Sequence, residues 1–170
     1  MEASEKVVIL GWAIGNNKYT KKKRGYFEVN DSHLFKLARE CSLKSDYSGC
    51  GRARIGAVIS YKGTVLAKGF NTDRTHTEQA KYNKWRYKKK GNNYLPDKCH
   101  AELAVLSKIK YLDIDFSRAH LYVYRELRDG SMAMARPCPA CMAAIKQLGI
   151  KNIHYTSDEG YCFERIIKDV

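Results

Sequence analysis

"AHLYVYRELRDGSMAMARPCPACMAAIKQLGIKNIHYTS" spans residues 119–157, and its reading decides the fold. "AHLYVYREL" (119–127) alternates tyrosine and valine and reads as a strand. "PCPACMAAIKQLG" (137–149) reads as a helix, with proline suited to its first turn and Gly149 placed to end it. "KNIHYTS" (151–157) is a second short strand. Strand, helix and strand in that order make a crossover, which requires parallel neighbours in one sheet. The stretch also holds Cys138 and Cys141, framed by Pro137 and Pro139, at the head of the helix. A redox pair, a structural zinc clip and a catalytic metal site all use this cysteine spacing.

Working upstream, "CHAELAVLSKIKYL" (99–112) reads as a helix with Leu103, Leu106 and Ile109 at helical spacing. "ARIGAVISYKGTVLAKGFN" (53–71) reads as a hairpin turning at Lys62-Gly63. "NDSHLFKLARECSLKS" (30–45) reads as a helix capped by Asp31 or Ser32, with Leu34, Leu37, Ala38 and Cys41 on one face. A long polar insertion separates Asn71 from Lys98, with helix expected over 77–87. The tail from Gly160 is a weak helix or a final strand. "VVILGWAI" (7–14) and "YFEV" (26–29) are two strands joined by a basic loop, or an arm. The expected organisation is an N-terminal arm or extra hairpin over 1–29 and one catalytic domain over 30–170. That domain is α/β, with a single mixed sheet and helices on both faces.

With 170 residues, 44% of them hydrophobic, the chain suits one core. No apolar run approaches the ~20 residues of a membrane span. "MEASEK" lacks the basic start and small-residue cleavage site of a secretory signal, so a cytoplasmic location is expected. Six cysteines are too few for a disulfide scaffold. Lysine and arginine number 31 against 18 acidic residues, a net charge of +13. The excess is clustered in "KYTKKKR" (18–24) and in "KYNKWRYKKK" (81–90). The second cluster, between Lys81 and Lys90, interleaves cations with Tyr82, Trp85 and Tyr87. That pattern suits a polyanion whose bases can stack, although solvated loops and a free nucleotide also fit.

The cysteines have a counterpart in "CHAE" (99–102). Cys138 and Cys141 lie one helical turn apart, and the helix N-terminus favours their thiolates. If the two helices follow parallel strands on one face of the sheet, His100 joins them as a third ligand. Three ligands with an open position mark a catalytic zinc, and four filled positions a structural one. Glu102, two residues after His100, is placed to move a proton to and from a zinc-activated water. A redox pair needs neither His100 nor Glu102. A structural zinc completed by Cys99 or Cys162 leaves Glu102 unexplained. Cys41, Cys50 and Cys162 read as small apolar residues or loop thiols, and His33, His120 and His154 as structural. A second zinc using Cys50 or Cys99 with His76 is a further arrangement.

The pair His100-Ala101-Glu102 and Pro137-Cys138-Pro139-Ala140-Cys141 matches the H-x-E…P-C-x-x-C pattern of zinc nucleobase deaminases. From about Leu34 to Ser157 the chain resembles the cytidine/deoxycytidylate deaminase superfamily, nearest its nucleotide-type and phage-like branches. The resemblance implies a three-layer α/β/α fold with a central sheet of about five strands. It implies Zn2+ held by His100, Cys138 and Cys141, with Glu102 as proton shuttle. Asn71 would meet the sugar or base, and the backbone around Ala101 and Pro137 the base edge. Arg54 and Tyr124 are further candidate contacts for phosphate and base. The implied reaction converts cytosine to uracil in a nucleotide of the dCMP or CMP type. Cytosine or adenine in single-stranded DNA or RNA is the alternative substrate, and a non-catalytic zinc-stabilised nucleic-acid-binding module the second alternative. Expected partners are a cytosine nucleotide, single-stranded nucleic acid along residues 81–90, and further copies of the chain in a homo-oligomer. No membrane partner is expected.

Overall fold

Two backbone conformations close the hairpin at one edge of the sheet. Lys62 and Gly63 both take positive φ, 48° and 81°, the two-residue turn whose twist matches a hairpin. It joins the strands Arg54–Tyr61 and Thr64–Phe70, which pair antiparallel. In a computed structural model the described residues are 5–13, 32–45, 53–86 and 97–168. They form β1 (Glu5–Ala13), α1 (Ser32–Ser42), β2 (Arg54–Tyr61), β3 (Thr64–Phe70), α2 (Thr77–Tyr82) and α3 (Ala101–Ile109). β4 (Ala119–Glu126), α4 (Pro139–Leu148), β5 (Asn152–Ser157) and β6 (Gly160–Lys168) follow. A 3-10 turn over Asn83–Trp85 extends α2. The Asp31 cap, the 18–24 cluster, the 26–29 strand, Cys50 and residues 87–90 lie outside the described residues.

The sheet has six strands in the order β1-β6-β5-β4-β2-β3. β4 and β5 are parallel neighbours, the crossover expected around α4. The other neighbouring pairs are antiparallel. The tail is the strand of the two readings, and the segment at 5–13 pairs with it at the sheet edge. The fold is thus α/β, with a mixed sheet between helical layers.

Side chains alternate across the strands, so each face has its own core. On one face Ala57 and Ile59 of β2, Leu121 and Val123 of β4 and Ile153 of β5 pack against Leu103, Leu106 and Ile109 of α3 and Ile145 of α4. On the other, Val58, Tyr122 and Tyr124 pack against Phe35, Ala38 and Cys41 of α1. Tyr122 stacks on His154, which stacks on Phe163, with ring centroids 4.3 and 4.6 Å apart. His154 also meets His120, Nε2 to Nδ1, at 3.0 Å. These histidines sit in the packed layer, as the sequence suggests.

Two glycines let helices approach closely. A Cβ on Gly56 would lie 2.0 Å from the Ala38 carbonyl oxygen, so α1 can lie on β2 only with glycine there. A Cβ on Gly69 would lie 3.0 Å from Ala104 Cβ and Val105 Cγ2, which brings α3 down onto β3.

Candidate metal centre

β3 and β4 point the same way, because each is antiparallel to β2 between them. α3 follows β3 and α4 follows β4 on the same face. Their N-termini therefore meet at the carboxyl end of the two strands, the usual place for sites in open α/β sheets. His100 is the N-cap of α3 and Cys138 the N-cap of α4. Pro139 opens α4, and Gly149 at φ 90° closes it.

The His100 Nδ1 lies 3.5 Å from the Cys138 Sγ and 3.4 Å from the Cys141 Sγ. Candidate ligand atoms of all three residues lie within 4.8 Å of one another. Tetrahedral zinc, with Zn–S about 2.3 Å and Zn–N about 2.0–2.1 Å, separates a sulfur from a nitrogen ligand by about 3.6 Å. The donor set fits that ion in type and spacing. Among the described residues no fourth histidine, cysteine or carboxylate belongs to the group. Cys99 is buried, with its Sγ directed at the His100 carbonyl, and Cys162 is buried in the sheet.

Without metal the thiols divide. The facing Cys141 thiol and His100 pull Cys138 down to about 4 against the cost of its burial. Burial, then the neighbouring Cys138, pushes Cys141 well up. One thiolate shared by two sulfurs beside an imidazole is an arrangement that a metal converts to two thiolates. Burial raises the Cys99 thiol to about 11, consistent with a packed, neutral side chain.

Glu102, in the first turn of α3, is 4% exposed. Burial raises its carboxyl pKa, opposed by His100 and by a hydrogen bond with Cys141. Its Oε2 is buried without a hydrogen-bond partner among the described residues. A buried carboxylate oxygen with no donor is costly unless a polar group meets it, and this one lies beside the three donors.

The remaining sequence candidates are distributed differently. The Asn71 Oδ1 accepts from the Ile55 N–H at 2.9 Å and the Ser45 hydroxyl at 2.5 Å, while Nδ2 donates to the Ala53 carbonyl at 3.0 Å. The side chain thereby pins the start of β2 to the end of the α1 segment. Ala101 has no exposed surface and Pro137 is buried. Tyr124 packs in the α1-side core, away from the ligand-bearing helices, because its strand position alternates to that face. Arg54 shares the face of Gly56 and Val58, opposite Glu126 in the register. Arg54 thus lies at the carboxyl end of β4, on the α1 side of the sheet.

Sequence reading missed a supporting layer. Arg136, two residues before Cys138, makes paired hydrogen bonds of 2.9 and 2.8 Å to Glu164 on β6. The Ala135 N–H donates to the Thr156 carbonyl, and the Thr156 hydroxyl donates to the Ala133 carbonyl. The loop before the cysteines is thus tied to β5 and β6. On the other side, Gln79 of α2 accepts from the His100 N–H at 3.2 Å. Polar residues at i and i+4, Gln79 and Asn83, are the one sequence signal of that contact, masked by the surrounding lysines.

No curated protein sequence matches the chain. Among solved structures it is similar to the apo dCMP deaminase of the cyanophage S-TIM5, at 24% identity and a TM-score of 0.50, covering 75% of this chain and 82% of that one. It is also similar to the cytidine deaminase of Burkholderia pseudomallei, at 18% identity and a TM-score of 0.52, covering 80% of this chain and 90% of that one. These likenesses bear on the fold. The model of the cytidine and deoxycytidylate deaminase zinc-binding region matches residues 29–157, most of the chain and all of the donors above. The chain belongs to the cytidine and deoxycytidylate deaminase family of zinc-dependent hydrolytic deaminases.

Proposed function

We propose that this protein hydrolyses the exocyclic amine of cytosine in a nucleotide of the deoxycytidylate or cytidylate type, releasing ammonia and leaving uracil. The observation that carries the reading is the unpartnered, buried Oε2 of Glu102 beside the His100, Cys138 and Cys141 donors. His100 through Nδ1 and both cysteines through Sγ would hold zinc. Zinc bound there would supply Lewis-acid activation, bringing the pKa of water to about 7.

Glu102 does the proton work. Oε2 takes a proton from the attacking water, whose oxygen bonds to C4 of the base. The carboxyl then gives that proton to the ring nitrogen N3. A second proton, from the new C4 hydroxyl, passes through Oε2 to the departing amine as the C4–N bond breaks. Water and cytosine thus become uracil and ammonia, and Glu102 ends as it began. Its raised pKa suits a group that must hold a proton part of the time. Arg86 places positive charge near His100 and Cys141, which favours an anionic substrate over a neutral nucleoside.

The test is an ammonia-release assay comparing cytidine, deoxycytidine, their monophosphates and a single-stranded oligonucleotide. The monophosphates are expected to react fastest. Glu102→Ala is expected to keep its zinc and lose at least about 100-fold in turnover. Parent-like turnover by that variant would overturn the role of Glu102. No ammonia from any cytosine or adenine substrate would leave a zinc-stabilised binding module instead.

A second reading rests on the surface of the insertion. Trp85 is 44% exposed, with the Lys84 ammonium 4.1 Å over its ring. An exposed aromatic under a cation is a stacking platform for a base in a single strand. Tyr82, by contrast, is buried and hydrogen-bonded to Gln147, so it takes no part. On this reading oligonucleotide binding falls steeply with salt and weakens in Trp85→Ala. No oligonucleotide binding at low salt would remove it.

A further inference from the structure

We propose that Gln79 is a positioning residue for His100, so that α2 belongs to the metal centre rather than to its rim. The proposal rests on the reading of His100, Cys138 and Cys141 as the zinc ligands.

His100 is an N-cap, so its N–H has no partner within α3. That N–H donates to the Gln79 Oε1 at 3.2 Å. Gln79 has no exposed surface. Its Nε2 donates to the Asn83 Oδ1 at 3.0 Å, and the Asn83 Nδ2 donates to the Asp97 Oδ1 at 2.7 Å. The series starts at His100, passes through two side chains, and returns to the chain at Asp97, just before His100.

The direction of this ring is dictated by chemistry. A backbone N–H can only donate and an Asp97 carboxylate can only accept. Gln79 must therefore turn Oε1 to His100, and Asn83 must turn Nδ2 to Asp97. That leaves Nε2 facing Oδ1, a complementary pair. Neither amide can flip without setting like groups together in a buried site, where an unmade bond is costly.

Backbone bonds hold the other side of the same segment. The His76 N–H donates to the Asp97 carbonyl at 2.9 Å, and the Cys99 N–H to the Arg74 carbonyl at 3.1 Å. The Thr72 N–H donates to the Cys99 carbonyl at 3.0 Å. Residues 97–100 are therefore gripped between the strand exit at 72–76 and α2. A fixed backbone at His100 keeps its Nδ1 within reach of both sulfurs. Arg86 donates to the same Asn83 Oδ1 at 3.3 Å, so a cation whose charge reaches His100 and Cys141 is carried on the same frame.

The test compares zinc affinity of the full chain, by competition with a chromophoric chelator, for the parent, Gln79→Met, Gln79→Glu and Cys138→Ser. Gln79→Met keeps length and burial but removes the acceptor, and Gln79→Leu replaces it should it fail to fold. The Met variant is expected to bind zinc about 10-fold more weakly or worse, with shifted visible bands when loaded with Co2+. Gln79→Glu retains the acceptor and is expected to recover part of the loss. If Gln79→Met lowers urea stability yet keeps the parent zinc affinity and Co2+ spectrum, Gln79 is only structural and the proposal is overturned. If Cys138→Ser keeps parent affinity, the ligand set itself is wrong, whatever Gln79 does.

Discussion

Arg136 closes on Glu164 with two hydrogen bonds, Nε to Oε2 and Nη2 to Oε1, and the glutamate it meets has no exposed surface. The pair spans from the loop before Cys138 to the strand β6. Arg136→Ala would leave a carboxylate buried without its cation, at a cost on the order of 3 kcal/mol. Urea unfolding should show that loss, and a smaller one for Arg136→Ala combined with Glu164→Gln. Equal losses in the single and double variants would deny the pairing an energetic role.

Gly56 is the close contact between β2 and α1. Adding one methyl group at Gly56→Ala drives a Cβ to 2.0 Å from the Ala38 oxygen and 2.5 Å from the Ser42 nitrogen. Both neighbours are backbone, so the helix must lift, at a cost of about 3 kcal/mol. A lowered urea midpoint checks this. The lesion is on the face away from the donors, so zinc content per folded chain should stay at the parent value.

The donor set predicts about one zinc per chain by metal analysis of the purified protein. Cys141→Ser should remove most of it. The released site should leave a chain less stable than the zinc-loaded parent, and added zinc should restore the parent but not the variant.

His154 and His120 should make stability depend on pH. Burial, then the charge of His120, holds the His154 pKa well below the ordinary value of 6.5, and burial followed by Arg165 lowers that of His120. Below about pH 6.5 the unfolded histidines bind protons that the folded ones refuse, so stability falls as pH falls. It is fully present above that pH and is lost progressively down to the folded pKa values. The slope is at most about 1.4 kcal/mol per pH unit for each histidine. Urea unfolding between pH 7 and 5 measures it, and His154→Phe should flatten the curve.

What was legible follows from where the physics is local. Lys62-Gly63 names its turn, Pro139 and Gly149 bound their helix, and the apolar spacing of Leu103, Leu106 and Ile109 names its face. The convergence of His100 with Cys138 and Cys141 follows from two helices after two like-directed strands. Hydrogen bonds to backbone atoms leave no such mark. Asn71 shows nothing in its sequence of its bonds to Ala53 and Ile55. Arg136 and Glu164 meet across 28 positions of chain, each looking like an ordinary surface charge. The side of the strand on which Tyr124 lies depends on the register with β2, which composition does not reveal.

The common direction of β3 and β4 has a consequence for synthesis. His100 arrives with the β2–β3 hairpin, whereas Cys138 and Cys141 arrive only after β4 has crossed to the far side of β2. A growing chain can therefore hold a complete hairpin and α3 while still lacking most of its metal ligands. The ion then acts as a late rivet between an early half and a late half. A break in the backbone between Ile109 and Phe116 would leave each half with an incomplete ligand set, making zinc a reporter of their reunion.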